Sequence, residues 1–180
     1  MKRFIGTALA LGLVGAASAQ TPPANPAAPG APGAPPVRRG FTVARSTGLD
    51  LAIEAAKAAL ASCSDFHAGA VILDHDGLPK LYYIPDGVSG SHGLMGFRKA
   101  NTALLAGGPS ESIVAKSAAD KTIADKIAAS PRDYTTNAGG LLITVNGEVI
   151  GAIGVSGAEP SAKDEACAED GLKAIQSRLK

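Results

Sequence analysis

The stretch LLITVNGEVIGAIGVSG, residues 141–157, decides the fold. Two apolar runs rich in β-branched residues, 141–145 and 149–155, meet at Asn146-Gly147. Both central positions of a two-residue hairpin turn need φ > 0, which Asn and Gly tolerate, so the dipeptide predicts an antiparallel hairpin. A second pair of short apolar runs, 70–73 and 81–84, is joined across Asp74-His75-Asp76-Gly77 and predicts another. Hairpins rather than alternating strand-helix units indicate a mostly antiparallel sheet.

Helical periodicity surrounds these strands. Leu49, Ile53, Ala56, Ala59 and Leu60 predict a helix over 49–62 with that side inward and Thr47 or Asp50 as its cap. Residues 94–105 read as a helix stopped by Gly107-Gly108-Pro109, and 110–129 as one broken helix or two short ones with Ile113, Val114, Ile123 and Ile127 on the apolar side. Residues 166–179 close the chain, Leu172, Ile175 and Leu179 marking a buried stripe. The order helix, hairpin, helices, hairpin, helix is that of an α+β domain, an antiparallel sheet of two hairpins with packed helices, over 41–180.

Upstream the composition changes twice. Residues 1–19 read as a signal peptide: Lys2 and Arg3, an apolar run over 4–14, then Ala17-Ser18-Ala19 at a cleavage site before Gln20. The run is shorter than the roughly 20 residues that span a bilayer. Residues 20–40 hold seven of the chain's 12 prolines among alanines and glycines, the composition of an extended, solvated tether. The expected location is periplasmic or secreted.

Of the 180 residues, 46% are apolar and 18% charged, and the formal net charge is only +1. Nothing in that balance holds phosphate, and aromatics at 4% offer no stacking platform, so nucleic acid is excluded as a partner. Catalytic signatures are missing as well. No Gly-Lys-Ser/Thr follows a glycine-rich loop, Gly151, Gly154 and Gly157 have the wrong spacing for a dinucleotide fingerprint, and Gly154-Val155-Ser156-Gly157 brings the second glycine one position early for a nucleophile elbow. Zinc spacings and a Cys-x-x-Cys-His attachment motif do not occur either, so no metal site is expected and any haem is held without thioether bonds.

Two features can carry chemistry. The loop from Gly154 through Ser156 and Gly157 to Pro160 leads into the last helix, whose free N–H groups suit an anion; alternatively Ser161 caps that helix and Asp164 or Glu165 complements its dipole. The glycine-rich run 87–93 places His92 at a helix start near Met95, Arg98 and Lys99, either as a plain cap residue or as a ligand.

VILDHDG at 71–77, KANTA at 99–103, GEVIGAIGVSG at 147–157 and Asp164-Glu165 resemble the GlcG/HbpS haem-binding family, also called the haem-degrading domain family, over about 49–180. Leu142 stands where that family commonly has proline, and Asn101 where an aromatic is common. The resemblance implies a profilin-like or PAS-like fold, homo-oligomers, and binding of haem or another tetrapyrrole; a related domain accompanies corrinoid adenosyltransferases. It supports binding better than any enzymatic step. His92 matches a histidine frequent in similar sequences and is the first axial candidate, with Tyr82, Tyr83, His75 and His67 as alternatives; Arg98 and Lys99 are candidates to meet propionates. The competing reading is an enzyme or binder for a small organic acid, with the 154–157 loop as anion site and His92 as acid or base.

Cys63 and Cys167 are the chain's two cysteines, one near the end of the first helix and one near the start of the last. In an exported chain an even count pairs, so a disulfide is expected. Buried free thiols, or a metal site of Cys63, His67 and Cys167, are the alternatives.

Overall fold

A computed structural model describes Ser46–Lys180; the leader and tether expected over 1–40 lie outside the described residues. The elements are α1 (Leu49–Ser62), β1 (Gly69–Asp74), β2 (Pro79–Tyr83), α2 (Gly90–Ala106), a 3-10 turn at Ser110–Ser112, α3 (Ile113–Ala119), α4 (Lys121–Ala129), β3 (Gly140–Val145), β4 (Glu148–Ser156) and α5 (Ser161–Ile175). Both hairpins form as the sequence dictates, and β1 pairs antiparallel with β4, giving one sheet in the order β2-β1-β4-β3. The turn of the second hairpin has Asn146 at φ 53° and Gly147 at φ 83°, the conformation that only such residues adopt cheaply.

Strand alternation sorts side chains onto two faces. Ala70, Ile72, Ile143, Val145, Ile153 and Val155 pack with Ala52, Ala55, Ala56 and Ala59 of α1 and Cys167, Ala168 and Ile175 of α5. Val71, Leu73 and Ala152 turn the other way, against Ala100 and Ala103 of α2. The sheet therefore lies between the α1/α5 pair and α2. Leu142 joins this smaller cluster from inside β3, opposite Ala152, so its departure from proline adds packing within the strand.

The α1 face agrees with expectation at Ala56, Ala59 and Leu60 and differs at Leu49. Leu49 is 55% exposed and the buried stripe is all alanine, because α5 approaches too closely for longer side chains. A Cβ on Gly171 of α5 would stand 2.6 Å from the Ala55 carbonyl oxygen. Where the two helices run this close, Cys63 and Cys167 form the disulfide, their Cα atoms 5.8 Å apart, which leaves no free thiol among the described residues and removes the metal alternative. α3 and α4 are two short helices that bury only Ile113; Val114, expected inward, is 56% exposed. Among the described residues no helix is long and apolar enough to cross a membrane.

Candidate functional site

Ser89 caps α2, its hydroxyl oxygen accepting from the Ser91 N–H at 3.3 Å, so the helix starts earlier than its apolar pattern suggests and His92 falls in the first turn. His92, Met95 and Lys99 follow at i, i+3 and i+7 on one face. That face looks onto the turn where β4 ends at Ser156, the chain passes Gly157 at φ 135°, and α5 begins at Ser161. Between them lies a cavity of about 380 Å³, with Ser91, Asn137, Ala158, Glu159 and Asp164 completing its walls. Small-molecule sites run from about 300 to 1,000 Å³.

The floor of the cavity is a buried ion pair. Lys99 Nζ donates to Asp164 Oδ2 at 2.6 Å, with side chains 2% and 3% exposed, and Asp164 Oδ1 accepts from the Ala158 N–H at 2.8 Å. Burial pushes the Asp164 carboxyl up, and the Lys99 and Ala158 hydrogen bonds oppose it. Asp164 thus does more than complement the helix dipole: it ties α2, the β4-α5 loop and the first turn of α5 together. Pro160 occupies the cap position, and Ser161 makes no capping hydrogen bond.

Glu165, one residue on, faces the other way. Its Oε2 accepts from the Gly139 N–H at 3.4 Å, and burial together with the neighbouring Glu111 carboxyl raises its pKa from 4.5 to about 7. Gly140, beside Gly139, donates its N–H to Ser110 Oγ at 3.0 Å, and that hydroxyl donates to the Asn137 carbonyl at 2.7 Å. The cavity wall at Asn137 is therefore held by the same polar knot.

The structure separates several residues that the sequence grouped. Arg98 points away from the cavity: its Nε and Nη2 donate to the Tyr134 carbonyl at 3.0 and 2.6 Å, and Nη2 also to the Pro131 carbonyl at 3.3 Å. Lys99 lines the cavity, but Asp164 neutralises it. Both cations proposed for propionates thus already hold partners within the protein, Arg98 backbone carbonyls and Lys99 a carboxylate. Gly154 is not an anion donor; it is where α2 crosses β4, and a Cβ there would lie 2.0 Å from the Gly96 carbonyl oxygen. Tyr82 stacks on Phe97 with ring centroids 6.5 Å apart, outside the cavity walls, and burial raises its hydroxyl pKa. Tyr83 packs into the α1/α5 core, and His67 is exposed before β1. His75 lines a separate cavity of about 420 Å³ with Asp76, Asn101, Lys126 and Tyr134, where the Asn101 amide donates to the Asp133 carbonyl at 3.1 Å. Asn101, where the family commonly has an aromatic, is a wall of this second pocket.

Asn137 and Glu159 were not identified from sequence, nor was the Lys99–Asp164 pairing. The available signal was Lys99 itself, a charge on the face that carries Gly96, Ala100 and Ala103.

The structure is a helix-flanked, four-stranded antiparallel α+β domain whose candidate small-molecule site is the polar cavity at the end of β4. The chain belongs to the HbpS-like family, described as haem degrading protein HbpS-like, whose model matches residues 48–173. Among solved structures, ORFY of Klebsiella pneumoniae is 21% identical, covering 78% of this chain and 97% of that one with a TM-score of 0.66. A double mutant of HbpS from Streptomyces reticuli is 27% identical, covering 79% and 97%, with a TM-score of 0.60. A complex of PduOC with haem is 16% identical, covering 72% and 95%, with a TM-score of 0.62. No curated protein matches the chain.

Proposed function

We propose that the chain is an exported haem-binding protein in which His92 supplies the iron ligand at the mouth of the cavity. The observation that carries this is the position of His92: half-buried on α2 and facing the β4-α5 loop, in a chain of the HbpS-like family. An imidazole and the apolar Met95 beside it fit one edge of a tetrapyrrole. Bound haem would supply a redox-active iron; the chain's part is to hold it and to limit water at the cavity wall. The propionates lie in solvent on this reading, since Arg98 and Lys99 are both engaged. The Cys63–Cys167 bridge supports an oxidising compartment, periplasmic or secreted, reached through the leader at 1–19. Handling or sensing of haem by a homo-oligomer belongs to the same reading; exposed Leu94 and Val114, 67% and 56% accessible, are surfaces a second copy would cover.

Titration of the purified protein with haemin tests it. A saturable Soret shift, lost in His92→Ala and kept in His75→Ala, is expected. A shift that survives His92→Ala and disappears in His75→Ala moves the site to the second cavity and overturns the assignment. A small organic acid has the polar walls in its favour, but the Asp164 and Glu159 carboxylates beside Lys99 weigh against an anion.

A further inference from the structure

We propose that the cavity at the start of α2 also binds a soft monovalent metal ion, Cu(I) in biological terms, through the imidazole of His92 and the thioether of Met95. This goes beyond haem binding and does not depend on it. Met95 is the chain's one methionine besides Met1, and it belongs to neither hydrophobic cluster. It is half-buried and lines the same cavity as His92. Three residues apart on a helix, the two side chains stand one turn apart on one face. Nitrogen and thioether sulfur together suit Cu(I), whereas hard divalent ions prefer oxygen sets. Two ligands on the same helix face also suit a bare ion better than opposite faces of one porphyrin.

Charge points the same way. Lys99 is paired with Asp164 at 2.6 Å, so it does not repel a cation, and Glu159 adds a carboxylate to the wall. The ionised groups around the cavity therefore leave an excess of negative charge, which favours a cation. With both cysteines bridged, no thiol among the described residues competes for a soft ion.

Ag(I), a redox-inert stand-in for Cu(I), is the probe. Titrated into the oxidised full-length protein carrying 13C-methyl methionine, it should saturate at one ion per chain and shift the Met95 methyl resonance. Met95→Leu keeps side-chain volume and should fold normally while weakening Ag(I) at least tenfold; His92→Ala should do the same. The urea midpoint of metal-free Met95→Leu, followed in parallel, should match wild type, which separates lost ligation from misfolding. Unchanged Ag(I) affinity in Met95→Leu, an unmoved methyl resonance, or uptake without saturation would overturn the proposal.

Discussion

Replacing Asp164 by Asn puts the largest structural claim at risk. The substitution keeps an oxygen for the Ala158 N–H at 2.8 Å but removes the charge facing Lys99 at 2.6 Å. At an effective dielectric of about 20, two unit charges at that spacing attract by roughly 6 kcal/mol, most of it offset by the cost of desolvating both. Once the carboxylate is gone the ammonium is left 2% exposed without its counter-charge. It has little room to relocate, because Gly139 backs it so closely that a Cβ there would touch both Lys99 Nζ, at 3.0 Å, and Asp164 Cβ, at 2.7 Å. Breaking a buried pair in this way costs about 3 to 5 kcal/mol. In a domain whose whole stability is about 5 to 15 kcal/mol, that lowers Tm on the order of 10 to 20 °C. Urea unfolding followed by circular dichroism, with the disulfide intact, gives the number. The double variant Lys99→Met/Asp164→Asn removes both charges and should recover most of the loss, a coupling that a thermodynamic cycle reads directly. A cost below about 1 kcal/mol for Asp164→Asn, or a double variant no better than the single, would refute the pair as the tie between α2 and α5.

Arg98→Ala should cost about 1 to 2 kcal/mol by freeing the carbonyls of Pro131 and Tyr134, yet leave haemin affinity unchanged; weakened haemin binding would restore it as a propionate partner. Replacing both Cys63 and Cys167 by Ser, across a sequence separation of 104, should remove up to about 4 to 5 kcal/mol, measured as the urea midpoint against wild type; an unchanged midpoint would show that the α1–α5 packing needs no bridge. Glu165 is held above its unfolded pKa of 4.5, at about 7, so the stability it contributes is complete below 4.5 and disappears as pH rises through 7. Glu165→Gln should therefore raise stability at pH 8 by about 1 kcal/mol and flatten the thermal profile between pH 5 and 8; a wild-type profile already flat there would contradict the Glu111–Glu165 proximity.

The strands were legible because their signal is local: Asn146-Gly147 specifies its turn, and period-two alternation assigns each neighbour a face. α1 was legible in extent and, at Ala56, Ala59 and Leu60, in its inward side, but not at Leu49. A helix of alanines and scattered large residues has two faces that satisfy the period, and only the approach of α5, set by Gly171 far along the chain, selects the alanine one. The cavity was half legible. His92 and the loop after β4 were singled out separately, and nothing in their spacing says that they face one another. Lys99 and Asp164 stand 65 residues apart, each with an ordinary solvated or dipole-complementing reading, and their pairing exists only once α2 crosses the sheet.

The shallow seating of α3 and α4, with Ile113 their one buried side chain, gives the molecule two grades of cooperativity. Amide protons in β1 and β4, flanked by strands on both sides, exchange with solvent only when the sheet itself unfolds. Those in α3 and α4 exchange through a smaller opening that leaves the sheet and the bridge untouched. Such a segment accepts insertions and sequence drift at little thermodynamic cost, and among the described residues it is where local opening first exposes chain to a protease.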